Sequence, residues 1–196
     1  GQCKFYLERF KGAIKDFDKA IKLNPENSDC WYYRGQCKFY LKRYKDAIKD
    51  FDKAIVLNRE DSQSWNYRGQ SKYFLKQYEE AIKDLDKAIV LNPESPFGWD
   101  FRGQSKKFLM QYEEAIKDLD KAIELDPENS LSWRNRGTCK DALQQYVEAI
   151  KDFDKAIELD PKCYKSWISR SGTKHALERY EEAIKDLDKA IELDPK

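Results

Sequence analysis

Apolar residues recur along this chain with a helical rhythm. In Tyr112–Pro127, YEEAIKDLDKAIELDP, residues Ala115, Ile116, Leu119, Ala122 and Ile123 fall at i, i+1, i+4, i+7 and i+8. That spacing lines up one apolar face of an α-helix, and the lysines, aspartates and glutamates take the rest of its surface. The proline stops the helix, because it has no N–H to donate and pushes the preceding residue out of helical geometry. The segment returns unchanged as Tyr180–Pro195. Close variants start at Phe10, Tyr44, Tyr78 and Tyr146, so each step is 34 residues without insertion or deletion. A fixed period of this size identifies a repeat array.

Each unit carries a second helical pattern ahead of the first. It opens near Trp31, Trp65, Trp99, Trp133 or Trp167, and two or three residues separate it from the helix that opens near tyrosine. So short a turn makes the two helices antiparallel neighbours, and every repeat is predicted to be an αα-hairpin. The boundaries are a partial repeat at 1–27, then 28–61, 62–95, 96–129, 130–163 and 164–196. Residues 1–7 read as the tail of a first helix, and Phe10–Asn24 as the first copy of the second helix. The expectation is one array over 1–196, belonging to a longer one. Asn27 or Ser28, Asp61–Ser62, Ser95–Pro96 and Asn129–Ser130 supply helix-start signals, whereas Cys163–Tyr164 supplies no capping side chain. A missing cap costs about 1 kcal/mol, so the last joint is expected to be the softest.

The residue types and spacing in repeat 62–95 resemble the tetratricopeptide repeat (TPR): Trp65, Gly69, Tyr78, Ala81, Leu85, Ala88 and Pro93. The resemblance covers essentially the whole chain. It implies an all-α fold, an α-solenoid of stacked helix-turn-helix hairpins forming a right-handed superhelix, with first helices lining the concave side. Packing physics agrees, because Gly69, Ala81 and Ala88 let helices approach while Trp65, Tyr78 and Leu85 fill the gaps. One hairpin cannot bury its apolar surface alone, so neighbours must stack.

Three features depart from the family pattern. Arg34, Arg68, Arg102, Arg136 and Arg170 stand where leucine is usual. Lys38, Lys72, Lys106, Lys140 and Lys174 replace a common tyrosine. Lys42, Lys76, Met110, Gln144 and Glu178 replace the glycine of the turn inside the repeat. The arginine row could be a ladder for phosphates or acidic peptides. It could equally be scaffold, each arginine burying its stem and pairing with Asp50, Asp84, Asp118 or Asp152 of the second helix. Recurrence in nearly every unit favours the scaffold. Other outer charges read as a solvated face with i,i+3 pairs such as Asp118–Lys121.

Composition narrows the function. Lys+Arg 37 against Asp+Glu 36 leave a net charge of +1, which offers no general pull on nucleic acid. No apolar run is long enough to span a membrane. The five cysteines are irregularly spaced, and Cys3, Cys37 and Cys139 share a repeat position with Ser71, Ser105 and Thr173, so they read as small packing residues. A reducing, cytoplasmic setting is the expectation. His175 is the single histidine and no CxxC occurs, so no metal or cofactor is expected. No catalytic constellation or phosphate loop appears, and the chain is not expected to be an enzyme.

What varies between repeats on the first helices is then the candidate site. The resemblance places Tyr33, Gln36, Tyr67, Gln70, Phe101, Gln104, Arg134, Asn135 and Lys165 in the concave groove. The first half is aromatic with a glutamine row, and the second is smaller and more charged. Such a trough suits a protein or peptide partner. The carboxylate clamp with which some family members hold chaperone tails is not expected: in the best register only Asn135 and Lys165 match, and Asp100 has the wrong charge. Self-association through the terminal repeats is the alternative, since the last helix repeats an interior one without a polar cap.

Overall fold

The computed structural model describes the backbone of residues 2–194 and the side chains of 9–194. Among these residues there are eleven α-helices and no strand. They are α1 (Gln2–Leu23), α2 (Ser28–Tyr40), α3 (Tyr44–Leu57), α4 (Ser62–Phe74), α5 (Tyr78–Leu91), α6 (Pro96–Phe108), α7 (Tyr112–Leu125), α8 (Ser130–Ala142), α9 (Tyr146–Leu159), α10 (Tyr164–Ala176) and α11 (Tyr180–Leu193). The chain forms two compact units, residues 1–101 and 102–196, which divide within α6. In the first, α2 packs on α3, α4 on α5, and α3 on α4. In the second, α8 packs on α9, α10 on α11, and α9 on α10.

One expected turn is absent. The predicted break near Glu8 does not form, and α1 runs continuously from Gln2 to Leu23. The other turns have a different backbone. At their centre Lys42, Lys76, Met110, Gln144 and Glu178 hold φ between 59° and 62°. That left-handed conformation costs a side-chain-bearing residue roughly 1–2 kcal/mol. Each such turn is stabilised by a full first helix folded against the second. At Glu8, the matching position, the backbone stays helical.

The cores are small-against-large, as the sequence implies. Ala47, Phe51, Ala81, Leu85, Ala149 and Phe153 are fully buried. A Cβ on Gly35 would stand 2.8 Å from the Phe51 ring, and one on Gly137 at the same distance from Phe153, so these crossings require glycine. The packing position is borne out: Cys37, Ser71, Ser105, Cys139 and Thr173 are all buried. Cys30, Cys37, Cys139 and Cys163 are free thiols, and burial pushes Cys139 up to about 11. Cys3 lies outside the described side chains.

The side chains of Asn27, Asp61 and Asn129 cap α2, α4 and α8, Pro96 opens α6, and Cys163 makes no side-chain capping bond to α10. Each tryptophan ties its helix to the joint ahead of it. Trp31 Nε1 donates to the Pro25 carbonyl at 2.8 Å and Trp65 Nε1 to that of Arg59 at 2.9 Å. Trp99, Trp133 and Trp167 do the same with Pro93, Pro127 and Pro161.

Candidate functional site

The arginine row is scaffold. Arg68 Nε and Nη2 donate to Asp84 Oδ2 and Oδ1 at 2.8 and 2.6 Å, and Lys72 Nζ reaches Asp84 Oδ2 at 2.7 Å. Asp84 is buried, and the Arg68 guanidinium lies over the Trp65 ring at 4.6 Å. The third nitrogen, Nη1, reaches back to Asp52 of the preceding repeat at 2.7 Å. The same constellation joins Arg34, Lys38, Asp50, Asp18 and Trp31. It recurs with Arg136, Lys140, Asp152, Asp120 and Trp133, and with Arg170, Lys174, Asp186, Asp154 and Trp167. Two cations for one buried carboxylate leave a positive remainder, and the exposed aspartate of the previous repeat offsets it. Burial alone would raise Asp186, but the hydrogen bonds from Arg170 and Lys174 win and hold it below the usual carboxylate range. Asp118 is buried against Arg102 and Lys106, and Lys121 bonds Glu124 at 2.7 Å.

With those cations consumed, the first-helix face of residues 1–101 is aromatic. Tyr33 and Tyr40 are 48% and 49% exposed, and Phe74 is 44% exposed. Tyr33 stacks on Phe17 of α1 at 6.0 Å. Phe39 sits edge-on to Tyr67 and Phe74 at 5.3 and 5.7 Å, so it packs between α2 and α4. Phe74 stacks on Tyr44 at 4.9 Å, and Phe101 meets Tyr73 edge-on at 5.3 Å. Gln36 Nε2 donates to the Tyr67 hydroxyl at 2.9 Å, and the Tyr40 and Tyr67 hydroxyls are 3.1 Å apart. The bond to Tyr67 and partial burial push Tyr40 up to about 12. Gln70 is buried and does not reach the surface.

In residues 102–196 the first-helix side chains are largely engaged. Lys107 Nζ donates to Asn135 Oδ1 at 2.6 Å, and Asn135 is only 4% exposed. Arg134 Nη1 donates to Cys163 Sγ at 3.1 Å. Thr173 Oγ1 donates to Asp141 Oδ1 at 2.6 Å. Gln104 is partly buried, and Lys165 is exposed with its ammonium 5.9 Å from the Tyr164 ring. His175 is exposed beside Tyr180. Of the nine sequence-predicted residues, the structure joins Gln36 to Tyr67, exposes Tyr33 and Lys165, and buries Gln70 and Asn135. Sequence reasoning underrated Tyr40 and Phe74. It missed the acidic residues at the joints, although Asp29 and Asp61 stand out against their counterparts in other repeats.

Family models described as tetratricopeptide repeat match residues 28–61, 62–95 and 130–163, and a second such model matches 98–129 and 164–196. The chain belongs to the tetratricopeptide repeat family. A protein prenyltransferase alpha subunit repeat model also matches residues 10–37. No curated protein matches the sequence. Among solved TPR structures, YrrB, described as having an unusual peptide-binding site, is 24% identical. The match covers 92% of this chain and 93% of that one, with a TM-score of 0.75. MamA from Desulfovibrio magneticus RS-1 is 18% identical over 86% of this chain and 95% of its own, with a TM-score of 0.78. A thermophilic TPR protein from Thermus thermophilus is 18% identical over 86% of this chain and 92% of its own, with a TM-score of 0.69. At these identities the likeness establishes the TPR solenoid fold. No described helix is long and apolar enough to cross a membrane.

Proposed function

We propose that this TPR protein is a non-enzymatic binding scaffold that holds a peptide or partner segment against its first-helix face, within a single repeat array. The observation that carries the reading is the run of half-exposed rings Tyr33, Tyr40 and Phe74, held rigid by ring packing and by the Gln36–Tyr67–Tyr40 hydrogen bonds. Rigid aromatics give large contact area at low entropic cost, and their hydroxyls can bond a peptide backbone. The peptide-binding site described for YrrB, a protein of the same fold, is consistent with such a role. A chaperone-tail clamp is disfavoured, since Asn135 is already bonded to Lys107 and Asp100 is buried. The near-neutral charge disfavours nucleic acid as partner, and the irregular cysteine spacing suits a cytoplasmic setting.

The test compares the chain with a Tyr33→Ala/Tyr40→Ala/Phe74→Ala variant in affinity capture from cell lysate, after circular dichroism establishes that the variant is helical. A partner held by the parent and lost by the variant supports the proposal. A partner held equally by both overturns it.

A second reading is self-association through α11. Leu187 and Ile191 are 42% and 62% exposed, whereas their counterparts Phe153 and Ile157 in α9 are buried under α10. Concentration-dependent sedimentation decides this: a strict monomer excludes it.

A further inference from the structure

Two changes in the second helices break the period together. In α7, α9 and α11 a glutamate takes up the lysine three residues before it: Lys121–Glu124 and Lys155–Glu158 at 2.7 Å, and Lys189–Glu192 at 2.8 Å. In α3 and α5 that glutamate is replaced by Val56 and Val90, which are 70% and 78% exposed. Lys87 thereby loses its neighbour, and the joint after α3 adds another cation, Arg59, where the other joints have proline. Neither side chain joins an ion pair among the described residues. Between the ends of α3 and α5 and the start of α4 lies a hollow of about 660 Å³. Ile55, Val56, Trp65, Val90 and Leu91 give it an apolar lining, and Arg59 and Lys87 outweigh the single carboxylate there, Glu60. Trp65 is fixed by its bond to the Arg59 carbonyl and by the Arg68 guanidinium over its ring. An apolar hollow rimmed by unmatched charge has the character of a docking surface.

Its match lies on α11. Tyr180, Ile184, Leu187 and Ile191 follow at i, i+4, i+7 and i+11 and form an exposed apolar stripe. Glu181 and Asp188, both exposed, stand three and four residues from Ile184 and border that stripe. Asp188 also lacks a partner that its counterparts have. Asp18, Asp52, Asp120 and Asp154 each accept from Nη1 of an arginine on the next first helix, whereas Asp188 joins no ion pair among the described residues. The stripe brings apolar side chains with carboxylates at their edge. The hollow brings an apolar lining with cations at its edge, one of them an arginine.

We propose that the hollow between α3 and α5 receives the α11 stripe of a second copy of this chain. The inference rests on the reading of self-association through α11 and names the surface that α11 meets. Ile184, Leu187 and Ile191 pack against Val56, Val90 and Trp65, while Glu181 and Asp188 face Lys87 and Arg59. The two patches differ, so the contact is heterologous. It leaves one hollow and one stripe free at the ends of every assembly, and copies add in line rather than closing into a two-fold dimer.

The test is sedimentation of the full chain and of two variants, alone and mixed. Val56→Glu/Val90→Glu alters the hollow by installing the residue that stands at this place in α7, α9 and α11. Ile184→Glu/Ile191→Glu alters the stripe at two exposed positions. All four sites face solvent, so both variants stay folded, which circular dichroism verifies. The parent is expected to associate with a Kd of about 10–100 µM, the range of a small interface, and to pass beyond the dimer at the highest concentrations. Each variant alone is weakened at least about tenfold. Mixed in equal amounts, the two variants form a dimer and nothing larger, because one supplies an intact stripe and the other an intact hollow. That rescue is peculiar to a heterologous contact. Two results overturn the proposal: a hollow variant that associates as the parent does, or a mixture no more associated than its components. In either case, if the stripe variant alone has lost association, self-association through α11 stands and only the hollow is wrong. A parent that stays monomeric up to about 200 µM overturns both.

Discussion

Replacing Asp84 by alanine removes the one carboxylate that three donor atoms share. Arg68 Nε and Nη2 and Lys72 Nζ lie within 2.8 Å of its oxygens, and the stems of both cations are mostly buried. Breaking a buried pair from one side costs about 3–5 kcal/mol, because the partner charge stays buried and unmatched. Here Arg68 keeps Asp52 at 2.7 Å, which offsets part of the loss, so the expected cost is about 3 kcal/mol. At roughly 2–3 kcal/mol per molar urea, the unfolding midpoint falls by about 1 M. Hydrogen exchange locates the effect, with amides of α4 and α5 losing protection first, since a repeat array opens locally. The informative control replaces the whole set, Arg68→Leu/Lys72→Tyr/Asp84→Leu, two of whose residues are those usual in the family. Removing the three clustered charges at once, with exposed Asp52 left to solvent, is nearly neutral when apolar groups fill the space. The triple variant is therefore expected to recover most of the stability lost by Asp84→Ala. A single variant within about 0.5 kcal/mol of the parent, or a triple variant less stable than the single, refutes this account of the row.

Lys76 holds φ 62°, so Lys76→Gly is expected to stabilise by about 0.5–1 kcal/mol, the relief of left-handed strain less the greater freedom of glycine when unfolded; a rise in urea midpoint checks it. Gly137→Ala places a Cβ 2.8 Å from Phe153 and should cost about 1–3 kcal/mol, whereas Gly172→Ala meets nothing within 4 Å and should gain about 0.5–1 kcal/mol in helix propensity. Thermal melts of the two variants should therefore move in opposite directions. Cys163→Asp gives α10 the capping acceptor it lacks and keeps an acceptor for Arg134; slower amide exchange at Ser166 and a gain of about 1 kcal/mol are expected. Asp186 is held below its usual range, so its contribution is full above the unfolded value of about 4 and is lost as pH falls through the lower folded value. Asp186→Asn should flatten the acid limb of a stability–pH curve in that window.

The period, the hairpins and the packing slots are legible in the sequence because each is dictated by short-range chemistry stated many times over. Alanine and glycine at fixed offsets from tyrosine and leucine leave one way to pack, and the buried set Ala81, Leu85 and Ala88 follows it. The join of residues 1–7 to the first second-type helix was not legible. The corresponding residue of the other turns carries left-handed strain, and no local pattern at Glu8 says whether that strain is accepted. On the first-helix face, Tyr33 and Gln70 look alike as candidates, since both project from a helix at similar register. Exposure there depends on the neighbouring repeat's side chains. Gln70 is covered, whereas Tyr33 is open on one side and stacked on Phe17 on the other.

The same contrast separates scaffold from site. A charge that recurs at every step meets a counter-charge that also recurs, because both are carried by the same repeat. Arg68 and Lys72 are thus neutralised before any partner arrives, and a row that reads in sequence as a basic ladder presents little free charge. Residues that break the period escape such matching. Asp29 does so, since Gln63 stands one repeat later, and so does Asp61, which is followed by Ser95. Together they add two carboxylates to Glu60, whose type does recur, as Glu94. The joint after α3 is also the one in which Arg59 replaces proline and supplies the carbonyl that Trp65 binds. Recognition in a repeat protein is therefore to be sought where the repeat is least faithful. Here that criterion leads to the joint after α3, where Arg59 and Asp61 both depart from their counterparts in the next repeat.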